Sequence, residues 1–366
     1  MKVVIRVDAS LKIGTGHVMR CLTLADALKQ QGTDVMFICR EHKGNLLERI
    51  EQQGFQAYKL PECTNNINDK RQNDIPERER LYGKQWLGST QQQDAEQCQL
   101  ILENIKPDWL IVDHYAIDHT WQTLLKESCK QLMVIDDLAD RVHICDLLLD
   151  QTYARKKEDY TDYVPQNCQM LLGSQYALLR PEFAQWREYS LKRRANPEFK
   201  KLLITMGGVD LDNVTGQVLN ALKNCSLPQG LEITVVMGET APNIKAVQKQ
   251  AKEMPCNTQV KTAVNNMAEL MANADLAIGA AGATTWERCC LGLPSILFTI
   301  ADNQIYASQL LNVHKIVELC NDTKNLDVSI RKLTINFLTL LSDNSAKIND
   351  GTGCRKILKI LERNCE

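Results

Sequence analysis

The sequence lacks the patterns that mark a secreted, membrane-spanning or disordered chain. Of its 366 residues only 10 are proline, 44% are hydrophobic and 24% are charged, and the apolar run at residues 2–7 is too short for the core of a signal peptide. These values argue against a disordered, collagenous or membrane-spanning protein and predict a globular chain with ample core. The length favours two domains over one.

An excess of charge of one sign is also missing. Lys and Arg number 43, Asp and Glu number 45, the formal net charge is -2, and the basic residues are scattered along the chain. A basic face for nucleic acid is therefore not predicted. We expect a small molecule as the partner, with neither nucleic acid nor a membrane involved.

Cysteines are abundant, but the spacing of a metal site is absent. None of the 14 cysteines forms Cys-x-x-Cys or a Cys/His zinc pattern. Several of them, such as Cys39, Cys145 and Cys320, fall in apolar patterns, where a free thiol behaves as a small hydrophobe. Unpaired thiols are typical of a reducing compartment, so the sequence predicts a cytoplasmic location.

Short apolar strands alternate with amphipathic helices along the chain, which predicts parallel sheets covered on both faces. A polar stretch at 61–93 interrupts the alternation and is interpreted as a surface excursion with a short helix over 76–87. The strands predicted in the first half are 3–7, 35–39, 55–59, 109–113, 132–136, 146–149 and 169–172.

A charged helical segment separates this pattern from a second alternation of the same kind. The predicted organisation is an N-terminal Rossmann-like domain (1–178), a hinge (179–198), a C-terminal Rossmann-like domain (199–345) and a terminal helix (346–366). Strands are predicted in the second half at 201–206, 232–237, 258–262, 275–279 and 295–299. Ligands bind at the carboxyl ends of such strands, so the loops that follow them carry the candidate sites.

The first candidate site is the pattern Gly14-Thr-Gly16-His17-x-x-Arg20 after the first strand. Glycines let the backbone approach a ligand, and a helix that begins there favours an anion. The pattern is not a dinucleotide fingerprint, because Met19 stands where the third glycine would be. His17 is predicted to act on a ligand or, alternatively, to cap or pack against the helix.

Two further side chains are predicted near His17. Asp8 follows the first strand and His114 follows strand 109–113, so both lie at the same edge of the sheet. We expect Asp8 to orient His17 or a water molecule, and His114 to support the site. The histidines predicted to lie on the surface are His42, His143 and His314.

The second candidate site begins at Gly207 and Gly208, after strand 201–206. Glycines between a strand and a helix predict a loop that approaches phosphate. The alternative is a tight turn in which Asp210 or Asp212 caps the helix. Asp210-x-Asp212 also matches the pattern of metal-dependent glycosyl transfer, but Asp212 is expected to begin the helix, so no metal is predicted.

The third candidate site is Gly-Ala-Ala-Gly-Ala-Thr-Thr-Trp-Glu at 279–287. Small residues open the backbone to a ligand, and Glu287 lies one turn into the helix, where a carboxylate can accept both hydroxyls of a ribose. The pattern predicts nucleotide binding; the alternative is a well-packed helix start with a glutamate favoured by the helix dipole. Asn303 and Gln304 follow the next strand as a polar pair at the same rim.

These motifs, together with Leu-Leu-Arg-Pro-Glu-Phe at 178–183, resemble the UDP-2,4-diacetamido-2,4,6-trideoxy-β-L-altropyranose hydrolases of the pseudaminic acid pathway. That family is similar to the GT-B glycosyltransferases, notably the one that makes lipid II. The resemblance covers about 1–315, and the stretch 61–93 has no match in it. It implies an α/β GT-B fold, with two Rossmann-like doubly wound domains facing a central cleft.

The resemblance also implies a reaction: hydrolysis of a UDP-linked sugar, releasing UDP and the free 6-deoxy sugar. Carried over by residue, Glu287 would hold the ribose, His17 would be the general base and Arg180 would neutralise a phosphate. We predict that neither a metal nor a cofactor is needed, because the two glycine loops, the helix N-termini and Arg180 can stabilise the diphosphate charge. The residues implied to line the phosphates and the sugar are Gly14, Gly16, Gly207, Gly208, Gly282, Ala283, Thr284 and Thr285.

Three other functions fit the same motifs. A glycosyltransferase would use the same UDP site with a sugar acceptor in place of water, and a UDP-sugar 2-epimerase has a similar architecture. A non-catalytic nucleotide-sugar sensor would need the loop at 279–287 but not His17.

Overall fold

The computed structural model describes residues 1–62 and 84–364. The chain divides into two compact units. The N-terminal unit comprises Met1–Leu178 and the chain from Cys354 onward, and the C-terminal unit comprises Leu179–Gly353.

A seven-stranded parallel sheet forms the centre of the N-terminal unit. Its strands are β1 (Lys2–Val7), β2 (Asp34–Arg40), β3 (Gln56–Leu60), β4 (Trp109–Asp113), β5 (Gln131–Ile135), β6 (Leu147–Asp150) and β7 (Gln169–Leu172). In space their order is β3-β2-β1-β4-β5-β6-β7. The central strands are buried on both faces, which is why they are continuous apolar runs.

Helices cover both faces of this sheet. Before the C-terminal unit they are α1 (Gly16–Gln30), α2 (Leu47–Gln52), α3 (Lys84–Leu87), α4 (Gln91–Ile105) and α5 (His119–Leu125). Thr90 and Gln93 form a capping box that fixes the start of α4. On one face α1 packs with Val3, Ile5 and Val7, while Val4 belongs to the core on the other face.

The C-terminal unit contains a six-stranded parallel sheet of order β10-β9-β8-β11-β12-β13. Its strands are β8 (Lys201–Thr205), β9 (Glu232–Met237), β10 (Asn257–Thr262), β11 (Leu276–Ala280), β12 (Ser295–Phe298) and β13 (Glu318–Leu319). Its helices are α6 (Pro181–Arg194), α7 (Val214–Leu222), α8 (Ile244–Lys252), α9 (Met267–Asn273), α10 (Thr284–Cys290), α11 (Ile305–Val313), α12 (Leu326–Arg331) and α13 (Ile335–Ile348).

The segment predicted as a hinge contains α6, which is bonded to the C-terminal unit. Arg187 donates to the carbonyl oxygens of Ala346 at 2.7 Å and Asn349 at 3.0 Å, and Ser190 Oγ donates to that of Leu291 at 2.7 Å. These bonds group α6 with the second sheet, and a hinge role for 179–198 stays a prediction.

The last helix of the chain, α14 (Gly353–Arg363), belongs to the N-terminal unit for most of its length. Trp109 Nε1 donates to the carbonyl oxygen of Leu361 at 3.1 Å, and Ile357 and Leu361 are fully buried in the core that α1 covers. The terminal helix therefore completes the first core.

Element boundaries differ from the sequence predictions in a few places. The two-residue strand β13 was not predicted. Of the helix predicted over 76–87 only Lys84–Leu87 falls in the described residues, and residues 63–83 of the polar stretch lie outside them.

Candidate functional site

Both sheets reverse their winding direction at one position. In space β1 lies between β2 and β4, and β8 lies between β9 and β11. Ligands of open parallel sheets bind beyond the carboxyl ends of the strands at such a reversal. The loop after β1 and the end of β4 form the candidate site of the N-terminal unit. The loops after β8 and β11 form that of the C-terminal unit.

The loop between β1 and α1 folds back on itself just before His17. The Gly14 N–H donates to the carbonyl oxygen of Ser10 at 2.9 Å, and Gly14 has a φ of +79°, in the region that favours glycine. A Cβ on Gly16 would meet no atom of the described residues within 4 Å. Packing therefore does not require this glycine, and its backbone is open to a ligand.

His17 lies in the first turn of α1 and is held by a carboxylate. Its Nδ1 is 2.6 Å from Asp113 Oδ1, at the end of β4. Its ring contacts Tyr115 edge to face, with 4.5 Å between the ring centroids. An ionised carboxylate can only accept, so Nδ1 carries a proton, and in the neutral form of the imidazole the lone pair is then on Nε2.

Arg20, one helical turn after His17, fixes the same carboxylate. Its Nε and Nη2 donate to the two oxygens of Asp113, each at 2.7 Å. Its Nη1 donates to Asp137 Oδ2 at 2.6 Å, and Tyr115 Oη donates to the same oxygen at 3.0 Å. Arg20 belongs to the predicted pattern, but its role and those of Asp113, Tyr115 and Asp137 were not predicted.

The charges in this cluster compensate one another. Burial alone would raise the pKa of the Asp113 carboxyl, but the charge of Arg20 and the hydrogen bonds from Arg20 and His17 outweigh it and hold that pKa well below its usual range. Burial would likewise lower the pKa of Arg20, yet Asp113 and Asp137 raise it well above its usual value. Asp113 is therefore ionised at neutral pH.

The prediction that Asp8 orients His17 is wrong, because Asp8 is bound elsewhere. Arg6 donates to its two oxygens at 2.6 and 2.8 Å, and the Arg40 N–H donates to Oδ1 at 2.6 Å. Val7 is the partner of Asp113 in the sheet register. Side chains alternate between the faces of a sheet, so Asp113 shares the Val7 face with α1, whereas Asp8 follows Arg6 to the other face.

His114 belongs to that second cluster. Its Nδ1 accepts from the Ala116 N–H at 3.1 Å, and its Nε2 lies 3.3 Å from Asp8 Oδ2. Burial lowers its pKa against the pull of Asp8. His42 and His143 are buried and not on the surface as predicted, whereas His314 is exposed.

In the C-terminal unit, Glu287 occupies the last part of the third motif with 17% of its side chain exposed. Burial raises the pKa of its carboxyl to about 7, against the opposing charges of Arg180 and Arg288. Arg180 Nη2 is 4.0 Å from Glu287 Oε1, while Arg180 Nη1 is 2.8 Å from Glu182 Oε1. The structure thus brings the predicted Arg180 and Glu287 together.

The small residues of this motif form the turn between β11 and α10. Ala283 is exposed, Gly282 and Thr284 are half-buried, and Thr285 is buried. A Cβ on Gly282 would come within 3.8 Å of Gln304 Nε2, so Gln304 lies beside the turn. Asn303 and Gln304 belong to a short 3₁₀ helix after β12, and Gln304 Oε1 accepts from the Ile300 N–H at 3.0 Å.

The loop after β8 contains both a glycine with a positive φ and a helix cap. Gly207 has a φ of +93°, and a Cβ there would meet no described atom within 4 Å. Asp210 accepts from the N–H groups of Val214 at 2.8 Å and Thr215 at 3.0 Å. Asp210 thus contributes to the helix cap, as in the alternative given for this loop, although the helix begins at Val214 and its N-cap residue is Asn213.

Neither a metal-binding cluster nor a membrane-spanning helix is present in the described ranges. Over residues 1–62 and 84–364, no group of three or more His, Cys, Asp or Glu side chains could hold a metal ion. In the same ranges no helix is long and apolar enough to cross a membrane.

Comparison with known proteins first defines the class. Residues 202–357 match the model of the glycosyltransferase family 28 C-terminal domain. The crystal structure of MurG from Acinetobacter baumannii is similar with a TM-score of 0.71, at 16% sequence identity and with 99% of each chain covered. The protein is an α/β protein of the GT-B fold.

The family follows from sequence identity. The chain is 32% identical, over 272 residues, to the UDP-2,4-diacetamido-2,4,6-trideoxy-beta-L-altropyranose hydrolase of Campylobacter jejuni, covering 74% of this chain and 81% of that protein. The protein belongs to this hydrolase family. It is also 28% identical over 301 residues to an uncharacterized protein of Methanocaldococcus jannaschii, and spans 55% of the length of that relative.

Proposed function

We propose that this protein hydrolyses a UDP-linked 2,4-diacetamido-2,4,6-trideoxy sugar and supplies the free sugar for pseudaminic acid biosynthesis. The observation that carries the proposal is the contact of 2.6 Å between His17 Nδ1 and Asp113 Oδ1. A sensor that only binds the nucleotide sugar has no need of an imidazole held in one tautomer. A hydrolase needs such a group, because water must lose a proton as it attacks.

The N-terminal unit supplies the general base. Asp113 accepts the Nδ1–H of His17 and leaves Nε2 free to take a proton, as in other histidine–carboxylate pairs. Arg20 holds both oxygens of Asp113, so the carboxylate cannot rotate away from the imidazole. Arg20 and Asp113 are positioning residues in this scheme, and His17 is the catalytic residue.

The chemical step is a displacement at the anomeric carbon. Water transfers a proton to His17 Nε2 while its oxygen bonds to the anomeric carbon, and the bond from that carbon to the UDP oxygen breaks. UDP leaves with the electron pair, so it needs less help from a general acid than the leaving group of an ordinary glycosidase. Attack from the side opposite UDP inverts the anomeric configuration.

The C-terminal unit holds the UDP. Glu287 binds the ribose hydroxyls, and Gly207, Gly208 and the turn 282–285 approach the diphosphate. Arg180, whose guanidinium lies within 4.0 Å of Glu287, neutralises part of the phosphate charge. We propose that these groups stabilise the leaving UDP without a divalent ion.

We also propose that the reaction occurs in the cytoplasm. All twelve cysteines that the structure describes are free thiols, including Cys145 and Cys168, whose sulfur atoms are 3.6 Å apart and share a hydrogen bond but no disulfide. Unpaired thiols in such number are typical of a reducing compartment.

Incubation of the pure protein with the UDP-sugar in ¹⁸O-labelled water tests the proposal. We expect UDP release without any acceptor, with the label on the sugar. Label on UDP would mean attack at phosphorus and would overturn the role of His17. UDP release only with an added sugar acceptor would support a glycosyltransferase. Conversion of the substrate to an isomeric UDP-sugar would support a 2-epimerase, and tight binding without turnover would support a sensor.

A further inference from the structure

A buried arginine lies under the third motif, and the function proposed above does not use it. Arg288 is 1% exposed. Among the described residues no carboxylate lies within ion-pair distance of it, and its Nε has no hydrogen-bond partner there. Burial lowers the pKa of Arg288 to about 10, so the guanidinium is still charged at neutral pH.

An unmatched buried charge is costly, and proteins normally pair such charges. The remaining donors of Arg288 all point to the turn between β11 and α10. Nη2 donates to the carbonyl oxygen of Ala280 at 2.7 Å and to Thr285 Oγ1 at 3.0 Å. Nη1 donates to Thr284 Oγ1 at 3.3 Å. The guanidinium thus links the end of the strand to the first two residues of the helix.

These bonds decide what the two threonine hydroxyls can do. A hydroxyl has one hydrogen to donate and two lone pairs that accept. Since Arg288 occupies an acceptor position on each oxygen, the hydrogens of Thr284 and Thr285 point to other partners. Thr284 is half-buried and borders the exposed Ala283, so its hydroxyl can donate to an acceptor in solvent.

The backbone of β11 is shaped around the same guanidinium. A Cβ on Gly279 would lie 2.4 Å from Arg288 Nη1 and 2.8 Å from the carbonyl oxygen of Thr205. Any larger residue at 279 would displace Arg288 from the turn. The first glycine of the motif therefore makes room for the arginine and not for a ligand.

We infer that Arg288 is a positioning residue for the diphosphate of UDP, through the hydroxyls of Thr284 and Thr285 and through its own unmatched charge. The inference rests on the proposed UDP site. An anion bound at the turn would supply the counter-charge that the described residues do not provide. The contribution is specific to the phosphates, because every bond of Arg288 goes to the turn and none goes to Glu287.

The same unit offers a matched control. Arg194 is also a buried arginine, 6% exposed, and burial lowers its pKa to about 9. Its Nε, Nη1 and Nη2 donate to the carbonyl oxygens of Leu291, Ala274 and Met271, at 3.1, 2.7 and 2.9 Å. Arg194 thus bonds to backbone and not to either hydroxyl of the turn.

The test is calorimetry with UDP and, by competition, with uridine on wild type, Arg288→Gln, Arg288→Lys and Arg194→Lys. We expect Arg288→Gln to weaken UDP binding by roughly ten- to a hundredfold and uridine binding by less than about threefold. Arg288→Lys should give an intermediate loss, since it keeps the charge but cannot bond both hydroxyls. Arg194→Lys should leave the ratio of the two affinities unchanged.

A parallel fall in UDP and uridine affinity, or no change in either, would overturn the inference. If Arg288→Gln does not fold, Thr284→Val in the wild-type and Arg288→Lys backgrounds replaces it. Coupled losses of UDP affinity support the role of Arg288, and additive losses contradict it. A wild type that binds no UDP overturns this inference together with the proposed nucleotide site. UDP binding without hydrolysis overturns only the proposed reaction.

Discussion

The buried charges of the two candidate sites are matched in one unit and unmatched in the other. In the N-terminal unit Arg20 and Asp113 are bonded at two points, and each shifts the pKa of the other toward its charged form. In the C-terminal unit burial raises the pKa of Glu287 to about 7 and lowers that of Arg288 to about 10. Without a ligand, the surroundings of Glu287 and Arg288 therefore disfavour the charged form of each side chain.

This difference indicates different tasks. A matched cluster is fully bonded before any ligand arrives, so it serves to fix one orientation of one group, here the imidazole of His17. An unmatched charge gains most when a ligand supplies its partner, so it serves binding. We therefore expect substitutions in the first cluster to lower turnover, and substitutions in the second to lower nucleotide affinity.

The largest effect is expected for His17→Asn. Removing the general base should lower turnover by roughly 10²–10⁴-fold. UDP affinity should stay within about twofold, because we propose that the other unit holds the nucleotide. Steady-state UDP release and calorimetry measure the two quantities. Turnover close to that of the wild type would remove His17 from the mechanism.

Asp113→Asn tests the matched cluster by removing the carboxylate that holds His17. The amide cannot hold the imidazole in the required tautomer, so turnover should fall by roughly 10²-fold with UDP affinity preserved. The free energy of unfolding should fall by about 1–3 kcal/mol, because Arg20 loses its ion pair with Asp113 and keeps that with Asp137. A variant with normal turnover would show that the contact with His17 has no catalytic role.

The loss of stability in Asp113→Asn should depend on pH in one direction. The folded-state pKa of Asp113 lies below its unfolded value, so its stabilisation is present above the unfolded pKa and is lost as the pH falls. The difference in unfolding free energy between wild type and Asp113→Asn should therefore be constant above about pH 5 and shrink below about pH 4. Chemical denaturation across this range measures it, and a difference that grows on acidification would contradict the assignment.

Glu287→Ala tests the candidate site of the C-terminal unit, where the buried charges are unmatched. Losing hydrogen bonds from the ribose to a carboxylate should weaken UDP binding by roughly ten- to a hundredfold. Turnover of the bound substrate should change less than affinity. For His17→Asn we expect the reverse, a large change in turnover and a small one in affinity. Calorimetry with UDP makes the comparison, and an unchanged dissociation constant would exclude Glu287 from the nucleotide site.

A second substitution, Glu287→Gln, tests the raised pKa of this carboxyl through the pH dependence of stability. The folded-state pKa is raised from 4.5 to about 7, so the folded protein binds the extra proton between these values and its stability falls as the pH rises through them. Without UDP, the Gln variant should be more stable than wild type at pH 8, by at most roughly 3 kcal/mol. The advantage should vanish below about pH 4. An equal pH dependence in both proteins would mean that Glu287 is not the titrating group.

The contrast between matched and unmatched charges also explains what the sequence could predict. The strands and the glycine-bearing loops after them were predictable, because buried parallel strands are apolar runs and their carboxyl ends lie at one edge. The positions of Glu287 and His17 were predictable for the same reason, since each lies in the first turn of the helix that follows such a strand. The short strand β13 was not, because two residues carry no periodicity.

The partners of these residues depend on register and on helix faces. Asp113 and Asp8 both end central strands, and only the pairing of Asp113 with Val7 shows which of them shares a face with His17. Arg20 was within reach of sequence reasoning, because residues three apart lie on one side of a helix. Arg288 was not, since nothing in the sequence shows that Gly279 makes room for it.

The smallest effect is expected for metal removal. Two cations of the C-terminal unit, the unmatched Arg288 and the partly exposed Arg180, can stabilise the charge of the leaving UDP without a divalent ion. Asp210, the first residue of the alternative metal pattern, already accepts from two backbone N–H groups. We therefore expect unchanged turnover in excess chelator. Asp210→Asn is the control: it should cost about 0.5–2 kcal/mol of stability through the weakened helix cap and still show no response to metal. Full loss of activity in chelator, restored by Mg²⁺ or Mn²⁺ in the wild type but not in Asp210→Asn, would show instead that Asp210 and Asp212 bind a catalytic metal.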